Sequence, residues 1–378
     1  MSIFFRTTQP FHNIVQVAFS FDELLRLDAF SAGLTSLVLS VVLVITAKWH
    51  GLYSMDSTQG VQKFHNQPTP RIGGISITLA VLVGLAISSQ EPIAAAKRAI
   101  LMGIILAGLP AFVFGLLEDL TKKVSVHARL IATVISGFIG WGITGVSIQS
   151  VGIPAFDWLL GFTICSVLLT GFAVGGLANA VNMIDGFHGL AAGCVLIMLT
   201  AFGVIARQVG DIPLAFSCLV LAGAVGGFLL VNWPFGKIFL GDGGAYFVGF
   251  AVGWVAVLLP HRNAAVSPWV SLLVCAYPVL EVLFSFARKT RRHGHHPSQP
   301  DRVHLHMLIH RRIVKVRLHP LPTDLHNGFT SPFCWVIASV PAFVAVQFHG
   351  SSYALAVSFV LCAFGYAVLY KRLVRFRW

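Results

Sequence analysis

Apolar runs long enough to cross a bilayer follow one another along almost the whole of this chain. A spanning helix needs roughly 17–25 predominantly apolar residues. About eleven runs approach that length, near 29–47, 73–89, 99–117, 128–147, 158–174, 189–206, 213–231, 244–259, 268–286, 331–349 and 351–369. Lipid offers no hydrogen-bond partners, so each run must satisfy its own backbone groups, as a helix does. The expected fold class is therefore all-α: a polytopic integral membrane helical bundle of about eleven transmembrane helices. Charged residues make up 11% of the chain and hydrophobic ones 56%, whereas a soluble domain carries about 25% charged residues. Residues 1–28 read as an N-terminal extracytoplasmic segment without a removable signal peptide. Residues 29–378 read as a single transmembrane domain with one sizeable soluble element, a His/Arg-rich loop over 287–330.

Orientation follows from the basic residues. All but six of the 26 (Arg6, Arg26, Lys97, Arg98, Arg207 and Arg262) fall in the loops of one face or in the C-terminal tail. That face is expected to be cytoplasmic, with the C-terminus inside and the N-terminus outside. The net charge of +12 lies in loops and forms no exposed stripe. It fits attraction to anionic lipid and an anionic substrate, with no nucleic-acid partner. The six cysteines (Cys165, Cys194, Cys218, Cys275, Cys334 and Cys362) lie within apolar runs and form no CxxC, so the sequence supports neither a disulfide framework nor a zinc site.

Polar motifs interrupt this apolar background on the predicted cytoplasmic face. The chain has only 14 acidic residues, and an acid beside hydrocarbon is costly unless it pairs, binds a cation or meets water. Glu118-Asp119 closes the third run. Asp185 ends Asn179–Gly186, and Asp242 lies in Phe239–Gly244, each beside a glycine. Asn182 and Asn232 add neutral donors and acceptors. Oxygen ligands gathered in this way suit a hard cation such as Mg²⁺, with Mn²⁺ as the alternative. Lys63, Thr69 and Arg71, in a loop stiffened by Pro68 and Pro70, offer phosphate donors. Asp301-Arg302-Val303-His304-Leu305-His306 sets an acid, a guanidinium and two imidazoles within six residues, a set suited to a diphosphate. Each motif alone has a plainer reading: a Pro-Gly turn, a solvated helix end, a loop that binds a soft metal or nothing.

Together the motifs resemble those of the polyprenyl-phosphate N-acetylhexosamine-1-phosphate transferases, a bacterial envelope family. The matching stretches are Pro68–Gly74 (PTPRxGG), Glu118-Asp119, Asn179–Gly186 (NxxNxxDG), Phe239–Gly244 (FxGDxG) and Pro300–His306 (PDRxHxH), in the family's order. Tyr277–Phe284 is similar to the helix that precedes its histidine loop. The chain departs from the common pattern at Glu118, usually Asp; at His188, usually Asp; at Gly243, usually Thr; and at Met307.

The resemblance implies a Mg²⁺-dependent transferase in the bacterial cytoplasmic (inner) membrane, its active cleft facing the cytoplasm. It would move a HexNAc-1-phosphate from a UDP-N-acetylhexosamine to undecaprenyl phosphate, release UMP and initiate an envelope polysaccharide such as O-antigen. Asp242 would be a metal ligand, with Asp119 and Asp185 supporting the metal or a lysine, and Glu118 would act on the lipid phosphate. Lys63, Arg302, His304 and His306 would hold phosphates, with Thr69 and Arg71 as further donors. Asn182 and Asn232 would help form the nucleotide pocket, and His188 would tune recognition. Pairing into a homodimer is left open. The competing class is a membrane transporter or metal-ion permease, whose sites usually lie near the midplane between internal repeats; the acids here lie on one face and no repeat is visible.

Overall fold

The computed structural model describes residues 27–56, 68–87, 92–290 and 303–375. It is all-α apart from one two-residue ladder. Among these residues nine helices are long and apolar enough to span a membrane. Two of the eleven predicted runs fall short of that. The run at 73–89 is a helix of 15 residues, Gly73–Ile87. The run at 268–286 breaks at Cys275 into Trp269–Val274 and Ala276–Thr290. The break falls three residues before Pro278, which has no N–H to continue the first helix's ladder.

Helix α1 (Leu27–Ile45) leads through α2 (Ala47–Ser54) into strand β1 (Met55–Asp56). β1 pairs antiparallel with β2 (Thr69–Pro70), in register Asp56 to Thr69. Then follow α3 (Gly73–Ile87), α4 (Pro92–Thr121), α5 (Val126–Thr144), α6 (Pro154–Leu160), α7 (Thr163–Ile184), α8 (Leu190–Gln208), α9 (Ile212–Asn232) and α10 (Gly241–Arg262). After α11 (Trp269–Val274) and α12 (Ala276–Thr290) comes α13 (Leu305–Ile309), which runs on through a π turn at His310–Val314. α14 (Thr323–Gly328), α15 (Ser331–Gln347) and α16 (Ser352–Arg375) close the chain.

α10 is the axis of the bundle. Every residue from Gly241 to Leu259 is buried, which a helix apolar on all sides requires. It packs chiefly on α4 and α7, with α3 and α8 beside it. α9 links α8 to α1, α5 closes the side between α4 and α7, and α15 lies on α8. Large apolar side chains such as Phe172, Leu168, Phe343 and Phe364 are exposed; on spanning helices that surface faces lipid. Interfaces between such helices favour small residues, which let backbones approach.

One such close approach lies where α10 begins. A Cβ on Gly74 would fall on the backbone of Gly244, and one on Gly115 would lie 2.6 Å from the Cα of Gly243. Gly142 has open space around its Cα. Gly74→Ala is therefore expected to lower the thermal midpoint of the detergent-purified protein by the equivalent of about 1–3 kcal/mol, as overpacking does. Gly142→Ala should leave it unchanged or raise it. Equal midpoints for the two variants would contradict this contact.

Far from the start of α10, ion pairs tie the helix ends. Lys97 in α4 meets Asp28 at the start of α1, and both are buried. Asp211 caps α9 through the Leu214 N–H and takes two bonds from Arg262, at 2.6 and 2.8 Å.

Candidate active site

Two of the motifs are laced together by backbone hydrogen bonds. The Phe239 N–H donates to the Pro70 carbonyl at 2.8 Å, and the Gly73 and Gly74 N–H groups donate back to Phe239 and Leu240 at 3.0 and 2.9 Å. The loop over 68–74 and the entry to α10 thus form one unit. Gly241, at φ +74°, turns the chain into the helix; a residue with a side chain rarely adopts that conformation.

Asp119 caps this turn from another helix. Its carboxylate accepts the N–H of Asp242 and of Gly243, each at 2.9 Å. A carboxylate at a helix N-terminus satisfies orphan donors and complements the dipole. It also takes Arg71 Nε at 3.0 Å. Arg71 reaches three acids at once, with Nη2 on Asp242 at 2.9 Å and Nη1 on Asp56 at 3.5 Å. Burial alone would lower the guanidinium's proton affinity, but Asp119, Asp242, Asp56 and Asp185 more than offset that and hold it above its ordinary value. Arg129 grips the other oxygen of Asp242, and the Asn182 amide donates to the first at 3.2 Å.

A cleft of about 270 Å³ opens over this cluster. Arg71, Asn182, Asp185, His188, Asn232 and Asp242 line it, so six of the predicted site residues converge there from four stretches of chain. Asp185 terminates α7. Burial, with Asp242 and Asp119 nearby, pushes its carboxyl up to about 7, against the pull of Arg71. Lys122 beside the cluster is pushed down by desolvation and by Arg71, against the pull of Asp119, Asp56 and Glu118.

Other predicted residues sit outside the cleft lining. Glu118 Oε2 accepts the Val124 N–H at 2.8 Å, which shapes the turn after α4. Thr69 is buried in β2. Asn179, in the same motif as Asn182, turns into the helix packing and bonds Thr133 and the Gly175 carbonyl. Asn232 lines the cleft, but its amide holds backbone: Oδ1 accepts the Gly189 N–H at 2.6 Å and Nδ2 donates to the Ile238 carbonyl at 2.6 Å. His188 stacks on Phe239, bonds the Pro234 carbonyl through Nδ1 at 3.2 Å, and donates its backbone N–H to Asn327.

His304 and His306 form a buried stacked pair around Glu281, their rings 5.4 Å apart. His304 Nδ1 donates to Glu281 at 2.9 Å. The His306 ring stands edge-on to Phe187, at 5.8 Å between centroids, beside the Asp185-Gly186 turn. The predicted phosphate holders Lys63 and Arg302 lie outside the described residues.

Asp56, Arg129, Glu281 and Asn327 escaped prediction as site residues. In the sequence Arg129 is one of the twenty basic residues that mark the predicted cytoplasmic face, with nothing to set it apart. Asp56, one of few acids on that face, carried a usable signal. Asn327 carried none, because its place depends on how the chain after the histidine motif folds back.

Among the described residues no three carboxylates or imidazoles stand preassembled at metal-ligand spacing. The donor set nevertheless fits a hard divalent cation. Asp242, Asp185 and Asn182 all line one cleft, and the raised proton affinity of Asp185 comes first from burial and then from the negative charge of Asp242 and Asp119, which a cation offsets.

Residues 101–260 match glycosyl transferase family 4. The undecaprenyl-phosphate alpha-N-acetylglucosaminyl 1-phosphate transferase of Yersinia pestis is 29% identical over 286 residues, covering 74% of this chain and 72% of that protein. The decaprenyl-phosphate N-acetylglucosaminephosphotransferase of Mycobacterium tuberculosis is 30% identical over 287 residues, covering 67% and 69%. The phospho-N-acetylmuramoyl-pentapeptide-transferase of Clostridium perfringens is 31% identical over 219 residues, covering 57% and 67%. With this coverage, and with the motif residues gathered around one cleft, the chain belongs to the polyprenyl-phosphate N-acetylhexosamine-1-phosphate transferase family.

Proposed function

We propose that this protein transfers HexNAc-1-phosphate from a UDP-N-acetylhexosamine to undecaprenyl phosphate, releasing UMP. The observation that carries this reading is the Asp242 cluster: an acid at a helix entrance, held by two guanidiniums, over a cleft with Asp185 and Asn182. An oxygen of the lipid phosphate attacks the β-phosphorus of the nucleotide sugar. The bond from that phosphorus to the bridging oxygen breaks, and UMP leaves with it. Both partners are anions, so the barrier is chiefly electrostatic.

Arg71 and Arg129 supply fixed positive charge at the point where phosphates meet. Both already sit on carboxylate oxygens, and the same planar donors match phosphate. Asp119 keeps the Gly241–Gly243 turn in place beneath them. Mg²⁺, or Mn²⁺, when held by Asp242 and Asp185 with support from Asp119, would neutralise the diphosphate. A phosphate already ionised at pH 7 scarcely needs a general base. Glu118, whose carboxylate holds the Val124 N–H, is accordingly given the turn to shape. Lys63, Thr69, Arg302, His304 and His306 complete the phosphate-binding set, and Asn232 builds the nucleotide pocket by holding its backbone.

His188 tunes recognition of the nucleotide sugar. His188→Asn should keep substantial activity, whereas His188→Ala should raise KM for the UDP-sugar more than it lowers kcat. Unchanged kinetics and sugar preference in His188→Ala would remove it from the substrate.

The finer topology belongs to the same reading: eleven crossings, with the short α3 and the broken pair α11–α12 counted, the cleft and C-terminus cytoplasmic, and the N-terminus outside, in the bacterial inner membrane. A cysteine at Gln299 should then be blocked only after permeabilisation, and one at Ala264 should label from outside in intact cells. The initiating glycan is of the O-antigen kind, and pairing into a homodimer is compatible with the lipid-facing surface. Membranes containing the protein should incorporate label from UDP-HexNAc into lipid only with Mg²⁺ or Mn²⁺ and undecaprenyl phosphate. Incorporation that survives a chelator would defeat the metal part of the proposal.

A further inference from the structure

The last helix, α16, is the least enclosed of the long helices. It keeps only Leu355, Tyr366 and Leu373 buried among 24 residues. One of those three is a tyrosine, and its hydroxyl does not face lipid. Tyr366 Oη donates to Glu281 Oε2 at 2.9 Å, and its ring packs on Phe284, 4.6 Å between centroids. A hydroxyl inside a membrane bundle must find an acceptor, and here it finds a buried carboxylate.

Glu281 gathers three elements. From the histidine motif it accepts His304 Nδ1 at 2.9 Å and the Leu305 N–H at 3.1 Å. From α16 it accepts Tyr366, and His306 Nδ1 stands 3.9 Å from it. About two turns further along α12, Arg288 donates to the Val303 carbonyl and to Tyr370 Oη, each at 3.0 Å. The segment 303–305 is thus held at three points by α12, and α16 backs two of the groups that hold it. An ionised carboxylate only accepts. His304 Nδ1 must therefore carry the hydrogen, which fixes the ring's tautomer and turns Nε2 to the opposite side. His306 stacks parallel to that ring, so orienting one orients the other.

We infer that Tyr366 and Glu281 form a brace that sets the orientation of His304 and His306, making Tyr366, on the last helix, a positioning residue for the transfer. This rests on the transferase reading above. Tyr366→Phe removes one oxygen and keeps the ring packing. It should lower kcat about tenfold, the effect of one hydrogen bond to a buried carboxylate, with KM for the UDP-sugar within about twofold and the thermal midpoint within a few degrees. Glu281→Gln should show the same split more strongly. Tyr353→Phe, on the exposed first turn of the same helix, should leave both constants unchanged. Amide hydrogen exchange over 303–308, followed by mass spectrometry on the full-length protein, should speed up in Tyr366→Phe.

Wild-type kcat in Tyr366→Phe, with wild type active, would overturn the brace and leave the transferase reading standing. So would a change confined to KM or to the thermal midpoint. If wild type transfers nothing from any UDP-HexNAc, the transferase reading fails instead. The exchange measurement then decides the brace: unchanged protection over 303–308 overturns it, and faster exchange upholds it.

Discussion

Asp242→Asn is expected to abolish transfer while leaving the protein inserted and folded. The carboxylate takes Arg71 on one oxygen and Arg129 on the other, with Asn182 also on the first. Its backbone N–H, which holds the turn to Asp119, is untouched by the substitution. The amide keeps the shape and one acceptor oxygen but loses the charge that a hard cation requires. Without that anion the cation that would neutralise the diphosphate is no longer held, and Arg71 and Arg129 lose their ionic anchor. Turnover should therefore fall below detection. Activity within about threefold of wild type would take Asp242 out of the reaction.

Asp119→Ala should damage the fold as well as the activity. Three groups depend on that side chain: the N–H groups of Asp242 and Gly243 and the Nε of Arg71. It is 1% exposed, so water does not replace the lost acceptor. Removing one partner of a buried ion pair costs roughly 3–5 kcal/mol, because the remaining charge stays buried and unpaired. Arg71 retains Asp242 and Asp56, which places the expected loss at the lower end, about 3 kcal/mol. Asp119→Asn keeps one acceptor oxygen and should lose less stability than Asp119→Ala while still losing most turnover. Detergent thermal unfolding of both variants checks this. Equal midpoints for wild type and Asp119→Ala would mean that Asp119 does not hold the start of α10.

What could be read from the sequence was set by range. The apolar runs are local, and nearly all returned as helices close to the expected residues. The two that fell short differ in kind: α3 starts at the expected Gly73, after the loop laced to Phe239, and spans 15 residues to Ile87, whereas the run at 268–286 breaks at Cys275. The convergence of Arg71, Asn182, Asp185 and Asp242 was legible because unpaired polar groups are costly in lipid, so each motif announced itself. Roles within the cluster were less legible. Asp119 was readable as support for the metal or a lysine, but not as the cap whose two oxygens take the N–H groups of Asp242 and Gly243. Asn232 looked like a pocket donor, but its amide bonds two backbone groups. Nothing in the sequence separates an acid that touches substrate from one that holds the backbone beneath it, since both need the same residue type. Arg129 and Glu281 were hidden for the opposite reason. An arginine near the start of a helix and a glutamate within one are common, and only their partners, more than a hundred and about twenty residues away in sequence, make them part of the site.

The identity of the nucleotide released tests the central claim most directly. Purified protein would be incubated with Mg²⁺, undecaprenyl phosphate and a panel of UDP-N-acetylhexosamines, and both the lipid and the nucleotide products weighed by mass spectrometry. Attack at the β-phosphorus yields UMP and a lipid diphosphate carrying the sugar, in equal amounts. Release of UDP with a lipid monophosphate sugar would mean attack at the sugar carbon, and would contradict the account.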